Sequence, residues 1–262
     1  MKAKISVVTI TYNAESVLQR TLDSVLSQSY PYVEHLIIDG ASKDGTLALV
    51  EQYREESTEQ AASHEVVVQS EPDRGIYDAM NKGLQKATGD FVLFLNAGDT
   101  LPATDTLELV MDKADDGVGV LYGNTDVVDG EGNFLYHRRL QPPERLSWRS
   151  FRQGMLVCHQ AFYARTEIAK GIPYDLQYRF SADVDWCIRV MKEAERRGLP
   201  LVNANVIVAN FEEGGDTTQH HRDSLWERFY VMASHYGYVQ TVLLHGWFVV
   251  RSVLMKITNN QK

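Results

Sequence analysis

Two polar residues, Asn96 and Asp99, follow directly after a run of five apolar residues, 91–95. Such a run is typical of a buried central strand, and open α/β sheets hold their ligands at the carboxyl ends of their strands. Carboxylate and amide oxygens at that position favour a site for a cation or a polar ligand. The alternative is turn chemistry, in which Asp99 caps a helix predicted to begin near Thr104.

Three earlier β-rich runs, 5–10, 33–38 and 66–68, also end in polar residues. Right-handed crossovers would bring the carboxyl ends of four such parallel strands to one edge of a sheet. Any one of these polar residues could simply cap the next helix, but four successive strands that end in polar residues favour a binding site. The candidate residues are Thr11, Tyr12, Asn13, Asp39, Asp73, Arg74, Asn96 and Asp99.

The segments between these runs have helical spacing, which completes a β-α-β pattern. Apolar residues recur on one face around Leu18 and Leu22, around Val50 and Tyr53, and from Met80 onwards. We therefore predict an α/β fold with a mostly parallel sheet flanked by helices. After residue 99 the alternation stops: short strands are predicted at 118–122, 125–128, 134–137, 158–163 and 201–208, with a helix at 183–196 and a flexible loop from Phe211. That half should be mixed or antiparallel.

Composition narrows the class of protein. The 262 residues carry a net charge of -9, which disfavours a nucleic-acid binder. Cys158 and Cys187 lack the spacing of a zinc site or a disulfide framework, and we expect buried thiols. The first residues lead straight into a strand without a leader pattern, so we expect a cytoplasmic protein.

We expect one domain over residues 1–218, with two halves at 1–100 and 101–218, and a helical extension over 219–262. The extension holds five Lys or Arg against two Asp or Glu. Its apolar stretch 242–250 is too short to span a bilayer. It either packs on the core or on a second copy in a homo-oligomer, or it docks on an anionic membrane as an interfacial helix.

Familiar phosphate-binding motifs are missing. The first strand lacks Gly-x-Gly-x-x-Gly, and no Walker-type Gly-Lys-Ser/Thr is present. An acidic edge without a glycine-rich loop suggests that a metal ion neutralises any bound phosphates.

Four blocks, 9–13, 37–46, 71–83 and 95–99, together resemble family 2 glycosyltransferases of the GT-A fold. The resemblance is dense over residues 4–100 and thinner to about 220. It implies inverting transfer of a sugar from a nucleotide diphosphate donor to an acceptor hydroxyl, with a bound Mg or Mn ion. The acceptor implied is a glycan or a lipid-linked acceptor in surface polysaccharide synthesis. The resemblance makes 1–100 the nucleotide-sugar-binding half and 101–218 the acceptor half.

The resemblance assigns the donor side. Asp39 matches the acid that binds the donor base, and Thr11 and Tyr12 match the wall of that pocket. Asp73 and Arg74 would lie by the base and phosphates. Asp39 can pair with uracil, thymine or guanine, and UDP is our first expectation.

The metal motif of the family departs from its usual pattern here. Asn96 and Gly98 stand at the two acid positions of Asp-x-Asp, and Asp99 follows as the one remaining carboxylate. Asn96 could lend a neutral oxygen or contact the donor sugar. His220, after a glycine-containing loop, could add a metal ligand as that loop closes, the alternative being a solvated turn.

The resemblance also assigns the acceptor side. Asp183 is the expected base and Asp185 the reserve, although both could be first-turn acids of a helix. His159 and Gln160 resemble a pair near the acceptor. Trp186 could stack on a sugar ring, but a buried helical tryptophan is commoner.

Two rival functions remain. A catalytically idle nucleotide-sugar-binding subunit of a transferase complex would account for Asn96 and Gly98. A nucleotidyltransferase is disfavoured, because residues 11–14 are neither glycine-rich nor basic.

Overall fold

A computed structural model of the chain describes residues 2–59, 64–213 and 221–247. The strands are β1 Ile5–Thr11, β2 Val33–Asp39, β3 Glu65–Ser70, β4 Phe91–Phe94, β5 Val120–Val128, β6 Phe134–His137, β7 Phe162–Arg165 and β8 Leu201–Glu212. The helices are α1 Glu15–Leu26, α2 Thr46–Glu59, α3 Ile76–Lys86, α4 Thr106–Met111, α5 Thr166–Lys170, α6 Ala182–Arg196 and α7 His221–Tyr236. Residues 238–247 are also helical.

The first half is the predicted parallel sheet. Its strands lie in the order β3-β2-β1-β4, all parallel, with α1, α2 and α3 as the crossovers. The register pairs Thr11 with Asp39, and Asp39 with Ser70. The carboxyl ends therefore meet at one edge, because parallel neighbours end at the same level.

The second half is mixed, as expected. Strand β7 is antiparallel to β4 and to β5, and β5 pairs with β6 antiparallel and with β8 parallel. The sheet of β1 to β8 is thus continuous from the parallel half to the mixed half. The polar edge of the first half consequently faces loops that the second half contributes.

Three predicted boundaries were wrong in this half. Residues 118–122 and 125–128 belong to one strand, β5, whose register with β8 shifts at Asn124 instead of breaking. The run 158–163 is not one strand, because the Ala161 N–H donates to the Cys158 carbonyl and closes a 3-10 turn, His159–Ala161, before β7. Strand β8 continues through Phe211 to Glu212, where a loop was expected, because it stays paired with β5.

The helical extension begins with α7, which packs on the domain through Val231, Met232 and Tyr236, all buried. The Tyr236 ring stacks on Trp148 at 5.6 Å between ring centroids. Within the described residues, none of the helices combines the length and hydrophobicity that crossing a bilayer requires. Both cysteines are buried and unpaired.

Candidate active site

Asp39 is the anchor of the loop that follows β2. It is fully buried, and it accepts hydrogen bonds from Thr11 Oγ1 (3.0 Å), Ser70 Oγ (2.6 Å), Ser42 N (3.0 Å) and Ser42 Oγ (2.5 Å). Burial alone would raise the pKa of this carboxyl, but these hydrogen bonds hold it below its ordinary value. In this structure Asp39 organises the rim and offers no exposed oxygen.

Tyr12 and Asp73 close over Gly40, the residue after Asp39. Gly40 is buried, and a Cβ added to it would lie 2.6 Å from Asp73 Oδ2 and 3.1 Å from Tyr12 Cδ2, so a glycine is what lets these two side chains approach the backbone. Tyr12 itself remains 65% exposed. An exposed aromatic ring beside a carboxylate suits a flat, polar ligand such as a nucleobase.

The other predicted donor residues lie around this rim. Asn13, at φ 48°, accepts from Lys43 N (2.9 Å) and thereby joins the loops after β1 and β2. Arg74 is exposed and bonds to Asp78 at 3.0 Å, one turn into α3. The positive charge of Arg74 is therefore partly offset before any ligand arrives.

A chain of polar contacts starts at Asn96, just beyond β4. Asn96 Nδ2 lies 3.1 Å from His159 Nε2, and His159 Nδ1 lies 3.4 Å from Asp183 Oδ2. Tyr77 OH donates to Asp183 Oδ1 at 3.3 Å. His159 lies on the 3-10 turn before β7 and contacts both residues. It thus links Asn96, which was predicted on the donor side, with Asp183, which was predicted on the acceptor side.

Asp183 lies in the first turn of α6, and it is the carboxylate that this chain of polar contacts reaches. Burial acts to raise its pKa, but the hydrogen bond from His159 and the charge of Arg228 bring the pKa below its ordinary value. Asp183 is therefore ionised at neutral pH. An ionised carboxylate on a cleft wall can accept a proton from a bound hydroxyl.

Asp99 is enclosed by two neighbours. Gln160 Nε2 donates to Asp99 Oδ2 at 2.9 Å, and the Glu212 N–H donates to Asp99 Oδ1 at 3.4 Å. Burial raises the pKa of Asp99 to about 6, against weaker opposing effects of Gln160 and His159. The alternative that Asp99 caps the next helix is excluded, since α4 begins at Thr106 with Asp105 as its N-cap residue.

Arg20 and Glu212 occupy the space that an acidic side chain at position 98 would need. Gly98 has φ +100°, and a Cβ there would lie 2.7 Å from Glu212 Oε2 and 3.2 Å from Arg20 Nη2. Arg20 forms an ion pair with Glu212, and its Nε donates to the Gly98 carbonyl at 2.9 Å. An aspartate side chain at this position would meet both strain and a second carboxylate.

The residues at the end of β4 do not fit a divalent cation. Asp99 is the one carboxylate of the motif, and its two oxygens accept hydrogen bonds from Gln160 and from the Glu212 N–H. Asn96 Oδ1 is buried without a hydrogen-bond partner, but it is a single neutral oxygen. Over residues 2–59, 64–213 and 221–247, no cluster of three His, Cys, Asp or Glu could hold a metal. The predicted ligand His220 lies outside the described residues.

The expectation for Trp186 was wrong. Its ring is fully buried, stacked on Tyr174 at 4.8 Å and edge-on to Phe94 and Phe162. Helix α6 turns this position toward the sheet, where the ring fills the core. No sugar can stack on it.

The reserve base Asp185 lies in a different network. It accepts from Arg189 Nε at 2.6 Å and pairs with His235 Nε2 at 2.8 Å. Two residues along a helix turn the side chain by about 200°, so Asp185 faces α7 while Asp183 faces the edge of the sheet. Asp185 joins helices, and its pKa, which burial would raise, is lowered by these partners.

Sequence reasoning missed four residues at this edge. Tyr77 stood inside a recognised block but was given no role, and Arg20, Glu212 and Arg228 carried no local signal. Arg20 and Glu212 are 192 positions apart in the chain. Contacts at that separation leave no periodicity to find.

Comparison with known proteins agrees with this architecture. A sequence model described as Glycosyl transferase family 2 matches residues 6–171. A protein of Mycobacterium bovis (strain BCG / Pasteur 1173P2), named PGL/p-HBAD biosynthesis glycosyltransferase, is 30% identical over 257 residues, which are 96% of this chain and 94% of that protein.

Solved structures share the fold. Staphylococcus aureus TarS 1-349 in complex with UDP-GlcNAc has a TM-score of 0.68 at 19% identity, covering 88% of this chain and 66% of that one. The mannosyltransferase PcManGT of Pyrobaculum calidifontis, in complex with GDP-Man and Mn²⁺, has a TM-score of 0.57 at 17% identity, covering 100% and 80%. The sheet, its mixed extension and the polar edge define a transferase of the GT-A type. The chain belongs to glycosyltransferase family 2.

Proposed function

We propose that the protein transfers a sugar, with inversion, from a nucleotide diphosphate sugar to a hydroxyl of a glycan or lipid-linked acceptor. The observation that carries this proposal is the position of Asp183, ionised and held by His159 against Asn96 at the end of β4. A transferase of this kind needs a carboxylate on the acceptor side of the bound donor. Relatives named for glycolipid synthesis support a surface glycan or glycolipid as product.

The donor base would stack on the exposed face of Tyr12, with Asp73 at its edge. Neighbours bound to UDP-GlcNAc and GDP-Man support a nucleotide-sugar donor, and UDP is our choice for the first assay. Asp39 would fix the loop that follows β2 beside this ring through Thr11, Ser42 and Ser70. The donor sugar would lie near Asn96, whose Oδ1 has no partner within the described part of the protein.

The chemistry is one displacement. The acceptor oxygen attacks the anomeric carbon while the bond to the β-phosphate oxygen breaks, and the diphosphate leaves with the bonding electron pair. Asp183 takes the proton of the acceptor hydroxyl. His159 and Tyr77 orient Asp183, because both contact its carboxylate.

The test is transfer from labelled nucleotide sugars to membrane lipid extract. Asp183→Asn should lower kcat by about 10² to 10⁴ with UDP affinity retained, because an amide cannot accept the proton. Asp116→Asn, at an exposed residue between α4 and β5, is the matched control and should transfer normally. Full transfer by Asp183→Asn would refute this assignment of the base.

The second candidate function, an idle donor-binding subunit, is favoured by the Arg20–Glu212 pair beside Gly98, which replaces an acidic motif. It would bind nucleotide sugars and turn none of them over. Hydrolysis or transfer with any donor eliminates it.

The C-terminal helices suit a location at the cytoplasmic face of a membrane. Eight large apolar side chains on them are exposed, and the surrounding sequence has an excess of three positive charges, which matches anionic lipid. Vesicles with anionic lipid should bind the protein more tightly than neutral vesicles do. Self-association without vesicle binding would instead indicate a homo-oligomer. The eight residues are Leu225, Trp226, Tyr230, Tyr238, Val239, Val242, Leu243 and Trp247.

A further inference from the structure

A nucleotide diphosphate leaving group needs positive charge beside it as its bond to the sugar breaks. The residues after β4 are poorly placed to bind a divalent cation that could provide this charge. Gly98 leaves no room for a carboxylate, and Asp99 is turned toward Gln160 and Glu212. Another cation near Asp183 would have to take that role.

Helix α7 brings one such cation to the site. Its Glu227 accepts three backbone N–H groups of residues 179–181, at 2.7, 2.6 and 2.6 Å. Those residues lead directly into α6, whose first turn carries Asp183. These bonds fix α7 against the beginning of α6, and the charge of Arg228, the next residue on α7, acts on Asp183.

Arg228 is not held by an ion pair within residues 2–59, 64–213 and 221–247, and its Nε is buried there without a hydrogen bond. Other arginines near the site are engaged, for example Arg20 with Glu212 and Arg189 with Asp185. A partly buried guanidinium left unpaired in this way is costly unless a ligand supplies the anion. Its charge reaches Asp183, as the lowered pKa of that carboxyl indicates.

We propose that the Arg228 guanidinium, instead of a divalent cation held after β4, neutralises the diphosphate of the donor. This inference rests on the proposed function. A guanidinium can bind two phosphate oxygens at once through parallel N–H donors. It would stabilise the negative charge that develops on the leaving oxygen, while Asp183 accepts the proton of the incoming hydroxyl.

Calorimetry with UDP and with uridine tests this directly, because the two probes differ only in the diphosphate. In EDTA, Arg228→Gln should weaken UDP binding about 10- to 100-fold and leave uridine binding unchanged. Arg228→Lys should fall between, since it keeps the charge and loses the paired donors. Arg222→Gln, exposed one turn and a half earlier on α7, is the control and should bind UDP as the unmodified protein does. Unchanged melting temperatures would verify that each variant is folded.

Three outcomes overturn the inference, and they can be told apart. If EDTA weakens UDP binding tenfold and Mn²⁺ restores it in both the native protein and Arg228→Gln, a metal has the role. If Arg228→Gln weakens uridine as much as UDP, Arg228 only supports the fold. If the native protein binds none of UDP, dTDP and GDP, the proposed function fails together with the inference.

Discussion

His159 places a proton donor against Asp183: its Nδ1 lies 3.4 Å from Asp183 Oδ2. Because Asn96 Nδ2 can only donate, His159 Nε2 accepts from it, and the ring proton lies on Nδ1, toward Asp183. The amide at the end of β4 therefore sets the tautomer of the residue that holds the proposed base.

His159→Ala should move the acid limb of the kcat–pH profile upward by about one to two units. The lost hydrogen bond to an ionised carboxylate is worth roughly 1.5–3 kcal/mol, and 1.36 kcal/mol corresponds to one pKa unit. The pKa of Asp183, now held low in part by His159, would rise. His137→Ala, at an exposed histidine on β6, is the control, and an acid limb that stays in place would contradict the assignment.

Asp99→Asn should change how stability depends on pH. The folded protein keeps the Asp99 proton up to about pH 6, whereas the unfolded chain releases it near pH 3.8. The contribution of Asp99 to the free energy of unfolding therefore declines as pH rises from about 4 to about 6, by on the order of 3 kcal/mol. Urea denaturation in EDTA should show the native protein losing stability relative to Asp99→Asn over that window. A constant difference would mean that burial does not raise this pKa.

Gly98→Asp, which restores the acid of the family motif, should destabilise the protein. The backbone at φ +100° disfavours a side chain, and the new Cβ would approach Glu212 Oε2 to 2.7 Å. Gly132→Asp is a matched control, because Gly132 has φ +85° and nothing within 4 Å of an added Cβ. In urea denaturation, Gly98→Asp should cost roughly 1–3 kcal/mol more than Gly132→Asp. If both variants lose the same free energy of unfolding, the Arg20–Glu212 pair can move aside for the new side chain without destabilising the protein.

Trp186→Ala should lower the free energy of unfolding by about 3–5 kcal/mol, as expected when a large core side chain leaves a cavity. Trp186→Phe should cost less, because it keeps an aromatic ring and removes a buried indole N–H that has no partner in the described structure. The acceptor KM of the folded protein should be unaffected by Trp186→Phe. If Trp186→Phe raised the acceptor KM without changing stability, Trp186 would take part in acceptor binding after all.

The parallel half was predictable because its signals are local. Each strand is a short apolar run, each helix has an apolar face, and Thr11, Asp39 and Asp99 stand where the runs end. Parallel order then brings those ends together without further information. The prediction of a shared edge followed from chain direction alone.

The roles within the edge were less predictable, because they depend on distant partners. Asp183 and Asp185 have the same local context, and only His159 on one side and His235 on the other distinguish them. Trp186 continues the same turn and faces the core. No pattern near residue 98 announces that Arg20 fills the space beside it.

The three hydrogen bonds from residues 179–181 to Glu227 tie helix α7 to the segment that leads into the proposed base, Asp183. A chimaera that exchanged α7 for the tail of another enzyme, in order to redirect the protein to a different surface, would lose the carboxylate that caps this segment. Retargeting and catalysis are therefore not separable by simple grafting. Any transplanted tail must carry a glutamate at the helix position of Glu227, where it can accept the N–H groups of residues 179–181.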